Sequence, residues 1–168
     1  YPEDPDLELV EAEPDTFTGA TGGTATITLN RAPVDTIDEV VITRQKTVSL
    51  TRGGFTGGQD TLPDVSVLSI QSIVQGGTTY VANTDYFLNG DKVDWSPGGA
   101  EPAPGSTYSI TYRYLGTVTP TNINLQAGTF SVTGAVNGTL VLTDYHWKLP
   151  RYDRLCVDRS GNFARVKG

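Results

Sequence analysis

Methionine is absent from all 168 residues, including position 1. Tyr1 is therefore not expected to be an initiator end, and the chain reads as a piece of a larger protein. One cysteine, Cys156, excludes an internal disulfide. It alternates with Leu155 and Val157, which suits a small strand residue better than a reactive thiol. His146 is the sole histidine, so any Ser-His-Asp or Cys-His arrangement must use it. By parity it lies on the strand face opposite Tyr145 and Trp147, the position of an exposed or interface residue rather than a general base. A zinc site would need His146 and Cys156 plus two carboxylates, and no ligand spacing supports one. No run approaches the ~20 apolar residues of a transmembrane helix, and no signal peptide is visible. An amphipathic helix of three turns is also missing.

Charge is present but unevenly placed. Glu3, Asp4, Asp6, Glu8, Glu11, Glu13 and Asp15 lie in the first sixteen residues without a basic partner, and they account for the whole net charge of −7. The tail leans the other way, with Lys148, Arg151, Arg154, Arg159, Arg165 and Lys167 against Asp144, Asp153 and Asp158. An acidic balance argues against non-specific nucleic-acid binding, which needs phosphate neutralisation. The head, with Pro2, Pro5 and Pro14 among its acids, reads as a solvated, extended connector with a short pairing at Leu7-Glu8-Leu9-Val10.

Strand patterns fill the rest. Ala25, Ile27 and Leu29 alternate with threonines, and Pro33 punctuates the following loop. Ile37–Thr43 and Thr47–Thr51 read as two strands joined by a turn at Arg44-Gln45-Lys46, although Val40, Ile42, Val48 and Leu50 keep one parity, as in a single long strand. Val65–Val74 reads as a strand with a bulge. Between Gly76 and Leu115, Asn89-Gly90 gives a hairpin signal, since a type I′ turn needs two positive φ angles. Val93 and Trp95 follow on one face, then a stiff Gly/Pro crossing from Pro97 to Gly105. Tyr108, Ile110, Tyr112 and Tyr114 then share one face of a clean period of two. Gly116–Leu125 reads as a connection and Thr129–Thr133 as a short strand. After the turn at Val136-Asn137-Gly138-Thr139, Val141, Thr143, Tyr145, Trp147 and Leu149 form the strand face up to Pro150. Arg154–Val157 and Phe163–Val166 flank a closing turn.

Sites of chemistry are scarce. Gly53-Gly54-Phe55-Thr56-Gly57-Gly58 lacks the Gly-Lys-Ser/Thr and the helix of a phosphate cradle, so it reads as a loop needing positive φ. Asp85, Asp91 and Asp94 could converge on calcium, but no calcium-loop spacing is present. Paired glycosidase carboxylates cannot be assigned from spacing alone, and no repeated β-helix motif is present. No catalytic residue, cofactor or metal is expected. Tyr86, Trp95, Tyr108 and Trp147 are the candidate surface or sugar-stacking residues, although aromatics at a period of two more often belong to a core.

The last segment, Leu149 to Gly168 (LPRYDRLCVDRSGNFARVKG), resembles the end of a domain-of-unknown-function family (DUF4815-like) of tailed-phage and prophage structural proteins. Thr84-Asp85-Tyr86, Trp95-Ser96, Glu101–Tyr108, Tyr112-Arg113-Tyr114 and Tyr1–Leu7 match it too, so the resemblance spans essentially the whole chain. It implies a β-rich module of a tail, baseplate or tail-fibre protein in the virion, working with other tail proteins and with copies of itself as a homotrimer. It supplies no catalytic residue, no membrane insertion and no nucleic-acid partner. The other reading is a carbohydrate-binding adhesin module touching a host-surface glycan.

The expected fold is all-β: an antiparallel β-sandwich, Ig-like in appearance, over residues 18–115. An acidic Pro-rich connector (1–17) precedes it, and a smaller β region with a C-terminal hairpin (116–168) follows. Head and smaller region are expected to pack together as a scaffold into which the sandwich is inserted.

Overall fold

The computed structural model describes residues 6–150, 154–157 and 159–166. Pro2, Glu3, Asp4 and Pro5 of the acidic head, and Arg151, Asp153, Asp158 and Lys167 of the tail, lie outside the described residues. Within them the chain is all-β, and no helix occurs. Fourteen strands follow in order: β1 Leu7–Thr16, β2 Thr24–Thr28, β3 Val34–Thr51, β4 Gln59–Thr61, β5 Val67–Gln75, β6 Thr78–Tyr80, β7 Phe87–Asn89, β8 Lys92–Asp94, β9 Thr107–Thr117, β10 Thr121–Asn124, β11 Thr129–Thr133, β12 Leu140–Lys148, β13 Arg154–Val157 and β14 Phe163–Val166. A six-stranded sheet, β1-β12-β3-β9-β5-β6, is faced by two three-stranded sheets, β10-β11-β2 and β4-β8-β7. All strand pairings are antiparallel, giving the expected sandwich.

The spine is β3. The polar trio Arg44-Gln45-Lys46, read as a turn, instead continues an 18-residue strand. Each member has a cross-strand partner on β9: Tyr114, Arg113 and Tyr112. Gln45 accepts from Arg113 Nε at 3.0 Å, and Lys46 pairs with Asp64 at 2.6 Å. Two of the three side chains thus meet polar partners, while Arg44 Nε is buried without a hydrogen-bond partner among the described residues, and the alternation on either side of the trio is unbroken.

One strand thereby serves two cores. Its first half pairs with β12 and lies under β2 and β11; Ile27, Val40, Ile42, Phe130, Val132, Val141, Tyr145 and Trp147 close the first core. Its second half pairs with β9 and lies under the small β4-β8-β7 sheet; Ile73, Val93, Trp95, Tyr108, Ile110 and Tyr112 close the second. The first core draws on residues before Thr43 and after Thr117, and the second on residues between them. The 115/116 boundary falls inside β9.

The acidic head is also more than a connector. Leu7–Thr16 is a ten-residue edge strand paired with β12, where Pro14 is tolerated because its missing N–H faces away from the ladder. A bulge between Val10 and Glu13 places two residues opposite Asp144, with Ala12 at φ 48° and its N–H donating to Asp144 Oδ1 at 2.6 Å. The extra residue reverses the parity, so Val10 and Glu13 both face inward. Glu13 is therefore buried, accepting from the Tyr145 hydroxyl at 2.5 Å and the Asn30 N–H at 2.8 Å.

Other local readings shift by a residue or two. The β7–β8 hairpin turns at Gly90-Asp91, because Asn89 pairs with Lys92, and positive φ occurs only at Gly90, the pattern of a type II′ turn. The connection after β9 carries a short strand, Thr121–Asn124. The bulged strand expected at Val65–Val74 is β5, with two register shifts against β9.

Candidate functional site

The second core encloses the densest polar constellation in the described residues, built around Arg52 at the end of β3. Its side chain is fully buried and donates to Glu101 Oε2 at 2.7 Å, to Asp60 Oδ1 at 3.3 Å and to the Phe55 carbonyl at 2.7 Å. Its guanidinium lies 5.6 Å from the Trp95 ring centre. Asp60 also accepts from the Gly53 N–H, the Trp95 indole at 2.9 Å and the Tyr108 hydroxyl at 2.8 Å. Trp95 is in turn met edge-on by Tyr80, Tyr86 and Tyr108, with ring centres 5.4–5.8 Å apart, the arrangement that aromatic quadrupoles favour. Burial first, then the Asp60 hydrogen bond and charge, pushes the Tyr108 hydroxyl far above its ordinary range.

This constellation holds the glycine-rich loop. Gly53 is bonded to Asp60, the Phe55 carbonyl to Arg52 and to the Gly58 N–H, and the Gly57 N–H to Glu101. Phe55, at the tip, is 84% exposed. Glu101 reaches Arg52 from the Gly/Pro crossing, which Asp85 pins by accepting the Ala100 N–H at 2.8 Å. Gly99 sits so close to that carboxylate that a Cβ there would lie 2.4 Å from Asp85 Oδ1.

The four aromatic candidates lie in these cores. Trp95, Tyr108 and Tyr86 belong to the second and Trp147 to the first, none more than 8% exposed. Their faces are covered by protein, which removes them as stacking platforms in this structure. Tyr108 on β9 and Trp147 on β12 are buried because one face of each alternating strand turns inward as a set, whereas Tyr86 and Trp95 lie just outside strands. His146 is on the outer sheet face, its Nδ1 2.7 Å from Asp38 Oδ2 and 3.5 Å from Thr36 Oγ1. Both contacts use Nδ1, so Thr36 is not placed as the nucleophile of a relay with Asp38, which would have to sit at the other ring nitrogen.

The structure keeps the three loop aspartates apart. Asp85 binds the Val81 and Ala100 N–H groups, Asp91 the Val67 N–H, and Asp94 its own neighbours. No group of three or more His, Cys, Asp or Glu side chains that could hold a metal occurs among the described residues. No helix among them is long and apolar enough to cross a membrane.

One arrangement escaped the sequence reading. In the small sheet, Gln59, Asp94 and Phe87 form one cross-strand row, and Thr61, Lys92 and Asn89 the next. These two rows face outward, because the alternating Asp60, Val93 and Leu88 turn into the core. Asp94 sits low between them, 8% exposed, accepting Gln59 Nε2 at 2.7 Å, Asn89 Nδ2 at 3.2 Å and the Ser96 N–H at 2.9 Å. The Ser96 hydrogen bonds first, then those of Gln59 and Asn89, hold its carboxyl well below the usual range. Three residues from three short strands carry no joint spacing signal, so only the register brings them together.

Fold and constellation define an all-β protein whose buried polar groups chiefly fix loops and strand parity. The chain belongs to the family described as Domain of unknown function (DUF4815), whose family model matches residues 1–168. No curated protein and no solved structure matches it.

Proposed function

We propose that this chain is a structural module of a phage or prophage tail, baseplate or tail-fibre protein. It acts by assembly, with copies of itself as a homotrimer and with neighbouring tail proteins, and does no chemistry of its own. The resemblance of its terminal and central motifs to such proteins motivates the reading, and one observation supports it. In the β13–β14 hairpin, Leu155, Val157 and Phe163 share a face, since Val157 pairs with Phe163, and they are 71%, 57% and 71% exposed. A two-stranded hairpin alone is marginal in water, so an apolar face of this kind calls for a cover. The acidic β1 edge, with Leu7 and Leu9 nearly half exposed, offers a complementary surface on an adjacent copy. Exposed ion pairs contribute only about 0–1 kcal/mol each, so the apolar contacts must carry the association.

Sedimentation equilibrium over a concentration series tests the assembly. A trimer is expected that weakens moderately with salt and is lost on combining Leu155→Glu with Phe163→Glu. A chain that stays monomeric at high concentration and low salt would show that these residues do not contain the trimer contacts. Antibody labelling of particles from a strain carrying the gene tests the location; label absent from the tail would refute the virion reading.

A further inference from the structure

We propose that the outward face of the β4-β8-β7 sheet is a carbohydrate-binding patch. It takes a pyranose with the apolar ring face against Phe87 and the hydroxyls on the side-chain amides of Gln59 and Asn89. This goes beyond the assembly reading and does not depend on it.

The patch is built from the bottom up by Asp94. An ionised carboxylate can only accept hydrogen bonds, so Gln59 and Asn89 must both turn their nitrogens toward it. That choice fixes both amides, leaving each with an outward carbonyl oxygen and a second N–H that have no partner among the described residues. Such adjacent acceptor and donor groups match sugar hydroxyls, each of which both donates and accepts. Phe87, the direct cross-strand partner of Asp94, is 41% exposed and supplies an apolar surface beside them. Strand spacing sets the footprint at roughly 10 Å across and 7 Å along, the scale of one or two sugar rings.

The chemistry of the face narrows the ligand. Lys92 is its single cation, and the chain carries a net charge of −7, which disfavours a phosphate backbone. It is a sheet face, and ladder hydrogen bonds run in the plane of the sheet, so an extended peptide lying on it gains none. Because the amides are already held in place, little rotamer freedom is lost on binding.

Saturation-transfer NMR on the whole chain, with the methyl glycosides of glucose, galactose and mannose and with N-acetylglucosamine as probes, tests the proposal. Transfer to the ring protons of at least one sugar is expected, and the affinity read from its concentration dependence should fall roughly tenfold in Phe87→Ser, a loss of about 1.4 kcal/mol. Gln59→Leu, which keeps the strand but removes the amide, should weaken binding several-fold. Phe55→Ser removes an exposed phenylalanine outside the patch and should leave binding unchanged. Circular dichroism confirms that each variant is folded, and Gln59→Leu carries the test should Phe87→Ser not fold. Absence of transfer from all four sugars, or binding unaffected by these two patch variants, would overturn the patch. Neither result bears on assembly, which sedimentation reads separately.

Discussion

Replacing Arg52 with methionine keeps a long unbranched side chain and removes the charge. In the folded protein Arg52 is completely buried, while the Asp60 and Glu101 side chains it pairs with are 5% and 15% exposed. Breaking a buried pair by deleting one partner leaves a stranded charge and typically costs ~3–5 kcal/mol, far above the value of a surface pair. Here the lower end applies. Asp60 keeps three donors, from Gly53, Trp95 and Tyr108, and Glu101 keeps the Gly57 N–H and some access to water. A loss of about 3 kcal/mol, with a urea m-value of about 2 kcal/mol/M, lowers the unfolding midpoint by about 1.5 M. Trp95 fluorescence should follow it, read in a Trp147→Phe background that silences the first core. Adding Glu101→Gln to the methionine variant should restore about 1 kcal/mol by removing one stranded carboxylate. The loop should also open: Phe55 is exposed already, and chymotrypsin should cut there faster once its carbonyl loses the guanidinium. A methionine variant within about 0.5 kcal/mol of the parent, with unchanged cleavage, would refute the view that Arg52 holds loop and core together.

Glu13→Ala strands the buried Tyr145 hydroxyl and the Asn30 N–H and should cost about 2–3 kcal/mol in urea unfolding, whereas Glu11→Ala, on the exposed face, should stay within about 0.5 kcal/mol. Gly99→Ala drives a methyl into Asp85 and the Thr84 carbonyl and should cost about 1–3 kcal/mol or more, while Gly54→Ala, facing open space, should be nearly neutral by thermal melting. Tyr108, Tyr112 and Tyr145 ionise less readily folded than unfolded, burial being the largest cause. Their stabilisation is therefore complete below the unfolded value of 10.0 and falls as pH rises above it. Ultraviolet titration should show these phenols ionising only together with unfolding; free ionisation in the folded protein would contradict their burial. At the acid end, Asp94 is depressed from 3.8, so its contribution is present above that value and lost as pH falls through the lower folded one, an effect Asp94→Asn should abolish in acid melts.

The sequence determined the fold class and most strand positions, because a two-residue alternation is a local property. Val141, Thr143, Tyr145 and Trp147 face one way whatever lies across from them, and all four are buried. It also bounded the chemistry through a single histidine and a single cysteine. Tertiary structure decided what depends on partners. Arg44-Gln45-Lys46 looks like a turn until β9 supplies Tyr114, Arg113 and Tyr112 opposite it. Glu13 looks solvated until one bulge reverses its strand, and nothing beside Arg52 in the sequence marks its burial, because Asp60 and Glu101 arrive from 8 and 49 residues away. The Gln59–Asp94–Asn89 array is likewise a product of register. A polar residue declares its hydrogen-bonding capacity in the sequence; burial and the identity of its partner are long-range facts that only the packed sheets fix.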